Sequence, residues 1–315
     1  MKQFTILLLF LSVININAQD EKKIKFDKGV LKICSSSNMK ITGYDGNEVI
    51  IKSSNGKAKV LYGVLDRKEG RNYKVWGTNR DSLRFIRKDT IQLKSKIFKL
   101  LSDKNKEKEL EKGLKPLGTK STNPADNLYL DIEQKPGELI IKNYVPNKGQ
   151  VLYHIPNSSY ELLIPNTIKL EWNTENCKKT NANTFFLNSK PWELSNFKGE
   201  VEISSSYGSI QLTDVSGPVL ANTVGGNIKV IFDKTTPKKL YSLISNDGHI
   251  DIQLPKNSSV KIDASGSSVL SDIDFKIITE NLVEGNTKVM NIELNGGKTK
   301  MKLNAGVGNI YLRKK

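Results

Sequence analysis

Cysteine and histidine are almost absent: the 315 residues hold two of each, Cys34 and Cys177, His154 and His249. That leaves no clustered set of soft or imidazole ligands, and neither a metal nor a cofactor is expected. Tryptophan is confined to Trp76, Trp172 and Trp192. Beyond the opening residues, no apolar run approaches the roughly 20 residues that a spanning helix needs, so the chain is not read as membrane-spanning. Acidic side chains are in deficit, 33 against 49 Lys and Arg, for a formal charge of +16. In an exported chain this excess points away from nucleic acid and toward anionic polysaccharide, lipid headgroups or another envelope component. The lysines are scattered, however, and alternate with apolar residues in KIKF, IKVIF and KMKL. Such a pattern also fits a solvated β face that resists edge-to-edge aggregation.

What is present begins with MKQFTILLLFLSVININAQD. Lys2 is followed by an apolar run from Phe4 to Val13 and then by the small residue Ala18. This order is that of a secretory signal peptide, residues 1–19, cleaved after Ala18 or Gln19. No cysteine follows the run to carry a lipid. The expected location is therefore exported, either periplasmic or at the cell surface. Under oxidising conditions Cys34 and Cys177 could form one disulfide, although the sequence alone slightly favours two unpaired thiols. Both look exposed, Cys34 by its parity with Lys32 and Ser36, Cys177 by its setting in NTENCKK.

Period-2 alternation dominates the rest. EVIIKSS, NLYLDIE, ELIIKNY, YELLI, TIKLEW, EVEIS, SIQL, NIKVIF, HIDIQL, SVKID and KMKLN are short, mostly apolar at alternate positions, and bounded by turn residues. The spacing predicts an all-β chain. One insertion, residues 94–115, has Ile97, Leu100 and Leu101 among dense Lys and Glu, and reads as a short helix or a mobile excursion. A small phrase also recurs. Gly208, Gly226 and Gly248 each precede one residue, then Ile, then one residue, then Leu, Val or Ile; Gly308 opens the same pattern. Gly266 continues the first three at a similar spacing, with a weaker version of the phrase. A period near 20 predicts stacked coils, each unable to bury its apolar row alone. The expected architecture is a β-solenoid over 166–315, preceded by a less regular β-domain over 20–165. The longer interval from Gly266 to Gly308 reads as two further steps.

FKGEVEISSSYGSIQLTDVSGPVLANTVGGNIKV, together with GYDGNEVII and LNGGKTKMKLNAGVGNIYLRK, resembles the bacterial "putative adhesin" family of β-strand repeat proteins. The signal-like start ending in NAQ and the Lys-, Ile- and Asn-rich composition resemble exported proteins of the Bacteroidetes. The resemblance implies export, stacked strands and an adhesin-like role, and carries no catalytic residues.

Chemistry-bearing patterns are sparse. His249 follows Gly248 with Asp247 and Asp251 nearby, a row that would suit a proton shuttle or a metal but lacks a third evident ligand. SYGSI and DVSGP are not nucleophile elbows. TVGGNIKV and LNGGKTKM have paired glycines without the Asp of a calcium-binding β-roll. Trp172 shares parity with Ile168 and Leu170 and is expected in the core, whereas Trp192 is expected to cap an open end of the solenoid. The sequence therefore favours a non-catalytic, adhesin-like envelope scaffold. Its alternatives are an anionic polysaccharide-binding module and a polysaccharide-cleaving solenoid.

Overall fold

The computed structural model describes residues 21–35, 38–53, 60–65, 73–77, 128, 130–143, 151–156, 159–173, 191–283 and 287–315. The insertion at 94–115, the signal-like segment and Cys177 lie outside them. The protein is all-β, built on two large sheets. The strands are β1 (Glu21–Lys25), β2 (Val30–Cys34), β3 (Asn38–Tyr44), β4 (Glu48–Ser53), β5 (Val60–Leu65), β6 (Tyr73–Gly77), β7 (Leu130–Lys135), β8 (Glu138–Asn143), β9 (Val151–Pro156), β10 (Ser159–Pro165), β11 (Lys169–Asn173) and β12 (Trp192–Ser195). They continue with β13 (Val201–Ser205), β14 (Ile210–Thr213), β15 (Val219–Thr223), β16 (Ile228–Ile231), β17 (Tyr241–Ser245), β18 (Ile250–Leu254), β19 (Val260–Gly266), β20 (Ser268–Ser271), β21 (Lys276–Val283), β22 (Thr287–Leu294), β23 (Thr299–Asn304) and β24 (Asn309–Lys314).

The chain shuttles between the sheets. One strand in the eleven-stranded sheet, a corner, and one strand in the ten-stranded sheet make a coil, as in β13–β14, β15–β16 and β17–β18. Neighbouring coils pair in parallel with no slip: Ile210 lies beside Ile228, Ile228 beside Ile250, and Ile250 beside Ile310. A second column runs Leu212, Val230, Ile252, Leu312. The facing sheet contributes Leu31, Leu170, Val201, Val219, Tyr241 and Met301. These side chains are essentially fully buried. Each buried aliphatic contributes about 1.5–3 kcal/mol relative to exposure. Alternation sends the other half of every strand outward, which is why the register is strict: a slip of one residue would turn the whole aliphatic row to water.

Spatial order and chain order part at both ends. In the ten-stranded sheet β24 lies between β18 and β20, and in the eleven-stranded sheet β23 lies between β17 and β19. Gly308 therefore does not sit two steps beyond Gly266. It stacks on Gly248, with Gly266 next, so the column runs 208, 226, 248, 308, 266. The chain between Gly266 and Gly308 is spent on β20 and on the β21–β22 hairpin, after which it returns to fill a gap. The same device recurs where β10 lies between β3 and β4. Trp192 is likewise not a cap. Its strand β12 has β3 on one side and β14 on the other, and its ring stacks on Trp172 across the core at 4.5 Å with planes 2° apart. Trp172 is fully buried, as its parity predicts.

Candidate functional site

At the corner after β13, β15, β17 and β23 the stacked backbones approach closely. A Cβ on Gly226 would lie 2.3 Å from the Gly208 carbonyl oxygen, and one on Gly248 would lie 2.1 Å from that of Gly226. On Gly308 it would lie 1.8 Å from that of Gly248. Glycine is needed here for close approach and not for a left-handed φ. Hydroxyls line the same corner inside the stack. The backbone N–H of Gly208 donates to Ser205 Oγ at 2.8 Å, that of Gly226 donates to Thr223 Oγ1 at 3.1 Å, and Ser245 Oγ donates to the Gly226 carbonyl at 2.7 Å. The opposite corner is fixed by Asp214, buried and at φ 52°. Its Oδ1 accepts from the backbone N–H groups of Asp233, Lys234 and Thr235 at 2.8–3.0 Å. Tyr241 donates to the Val215 carbonyl below it; burial, aided by the Asp214 charge, raises its phenol pKa.

Among the described residues the interior is filled by aliphatic and aromatic side chains, and a groove lies on the outside. On the ten-stranded sheet a groove of about 380 Å³ is lined by Pro191, Tyr207, Ser209, Gln211, Asn227, Lys229, His249 and Asp251, with the edges of Ile210 and Ile228. Tight corners present Tyr207, Asn227 and His249; outward strand positions present Gln211, Lys229 and Asp251. Asn227 braces the rim, donating its backbone N–H to Ser209 Oγ at 3.1 Å and accepting from the His249 backbone N–H through Oδ1 at 3.0 Å. The His249 ring meets Tyr311 edge-on at 5.6 Å. Arg313 lies 5.2 Å from the Tyr311 ring centroid and donates to Asp251 Oδ1 at 3.0 Å. Asp251 is thus held by Arg313. Among the described residues no cluster of three or more His, Cys, Asp or Glu could hold a metal.

The eleven-stranded sheet presents a different outer face. At one end Lys32 contacts Glu138 and Glu171 at 2.5 and 3.8 Å, and Lys169 contacts Glu171, Glu200 and Glu202 at 3.1–3.3 Å. Burial would lower the Lys169 pKa, but its hydrogen bonds to Glu200, Glu202 and Glu171 outweigh this and raise it. The Glu138 hydrogen bond raises Lys32 against a smaller desolvation. Toward the other end Lys261 and Lys300 stand side by side across β19 and β23.

Cys34 ends β2, half-buried, and no described cysteine is a free thiol. The chain at His154 is in β9, of which only the backbone is described, as is Trp76 in β6. Sequence reading singled out His249 and Asp251 but missed Tyr207, Lys229, Tyr311 and Arg313 as their neighbours. The signal was available in the coil register, which places equivalent outward positions side by side.

No family model matches the chain, and no curated protein matches it. A solved structure from Clostridium sporogenes ATCC 15579, named there a "putative cell adhesion protein", is similar to this chain at 13% identity, over 94% of this chain and 99% of that one, with a TM-score of 0.38.

Proposed function

We propose that this protein is an exported, non-catalytic, adhesin-like component of the bacterial envelope, periplasmic or displayed at the surface, that binds through its outer faces. The observation that supports this reading is the uninterrupted aliphatic ladder of Ile210, Ile228, Ile250 and Ile310, which fills the space between the sheets and leaves binding to the outside. Rigid in-register outer faces, repeated coil after coil, suit extended partners. The signal-like residues 1–19 and the family resemblance of the coils agree with export and adhesion. A polysaccharide-cleaving reading needs two cooperating carboxylates; the groove is lined by one, Asp251, which Arg313 engages. The experiment is protease shaving of intact cells that express the protein, paired with adherence of a deletion strain. Loss of the protein on shaving and reduced adherence are expected. Recovery of an uncleaved precursor from the cytoplasm would overturn the reading.

A further inference from the structure

Gln211, Lys229, Asp251 and Tyr311 stand side by side on β14, β16, β18 and β24, one on each rung of the ladder. Rungs are about 4.8 Å apart, a spacing close to the length of one pyranose ring along an extended chain. None of these four outward side chains contributes to the aliphatic core. Lys229 forms no ion pair with any described residue. Its neighbour Asp251 is neutralised by Arg313, so Lys229 is the uncompensated charge of the groove. Tyr207 rises at the rim, 77% exposed, a large ring left in water. Gly225 makes room beside it, since a Cβ there would come within 3.1 Å of the Tyr207 ring. Ser209, Gln211 and Asn227 add neutral hydrogen-bonding groups between the ring and the cation.

We infer that this groove binds an extended, carboxylate-bearing oligosaccharide, a uronic-acid polymer. An aromatic face packs on the C–H side of a sugar ring, planar amides and a hydroxyl take its hydroxyls, and a lone lysine pairs with the carboxylate of one residue. A peptide or acyl chain would need a deeper apolar slot. A phosphate would need several donors converging on one point, whereas Lys229 is a single cation between Gln211 and the Arg313-paired Asp251. The repeat of the ligand matches the repeat of the coils. The inference rests on the reading that the protein binds through its outer faces, and names what one face takes.

The probe is a hexameric oligogalacturonate, titrated calorimetrically into the full chain, with a neutral cello-oligosaccharide of equal length as comparison. The wild type is expected to prefer the oligogalacturonate, less so as salt rises. Lys229→Met should weaken that binding at least tenfold and abolish the preference. Tyr207→Ala should weaken it to a similar degree, while Lys261→Met on the opposite sheet should bind as the wild type does. Thermal unfolding of each variant checks that the fold is kept. Wild-type affinity in both Lys229→Met and Tyr207→Ala, an equal loss in Lys261→Met, or no binding by the wild type would overturn the inference. These failures are separable from that of the wider reading, because cell shaving and adherence do not depend on this probe: a displayed, adhesive protein that ignores oligogalacturonate loses the groove assignment alone.

Discussion

At the scale of single residues, the corner glycines are the least replaceable positions. A Cβ on Gly248 or Gly308 would strike a carbonyl of the coil beneath it, and stacked backbone cannot step aside. Gly248→Ala and Gly308→Ala should each destabilise by about 1–3 kcal/mol in urea unfolding, as overpacking does. Gly208→Ala should cost less, because its nearest obstacle is the Ser205 side chain and not backbone. Lys169 gives a prediction in pH. Its pKa is raised by folding, so its contribution to stability is fully present below the unfolded value of about 10.4 and is lost as pH climbs through the folded one. The stability deficit of Lys169→Met should therefore stay level from neutral pH to about 10 and shrink above it. Cys34 and Cys177 are expected to be bonded. Cys34 is not a free thiol, and Cys177 is the one other cysteine in the sequence. Peptide mapping without reductant should find them linked. Cys34→Ser should lower stability by roughly 4–5 kcal/mol, the figure for a loop of more than about 100 residues.

At the scale of strands, most of what the sequence predicts is found in place. EVEIS, SIQL, NIKVIF and HIDIQL are strands β13, β14, β16 and β18, and the isoleucines of the last three share one column. This much was legible because burial of one face imposes strict alternation, and because a glycine is required wherever two corners touch. The β21–β22 hairpin was not legible. β21, KIITENLV, is exposed along its whole length, so no buried row imposes a pattern on it. Nor was the neighbour of each coil legible. Alternation states which way a side chain points, whereas the stacking of Gly308 on Gly248, with Gly266 beyond it, depends on segments far apart in the chain. The groove was half legible for the same reason: His249 and Asp251 are close in sequence, but Tyr311 and Arg313 reach them only through the inserted strand β24.

At the scale of the molecule, the two interposed rungs change what truncation does. In a simple array of coils, removing the last one exposes a single face. Here residues 299–315 form β23 and β24, flanked on both sides in both sheets. Their deletion would uncover Tyr241 and Leu243 below and Ile262 and Ala264 above, and would sever β19–β22 from the remainder. A chain cut after Lys298 is expected to lose cooperative unfolding and to aggregate, whereas one in which only the exposed strand β21, residues 276–283, is replaced by a Gly/Ser linker of equal length should retain it; scanning calorimetry and light scattering separate the two. The same arrangement bears on mechanical load. Tension applied at Lys314 runs along β24, whose hydrogen bonds to parallel neighbours on either edge must shear together and not open one after another like a zip. A tether attached there would draw on both edges at once, the load path that the proposed adhesive role would call upon.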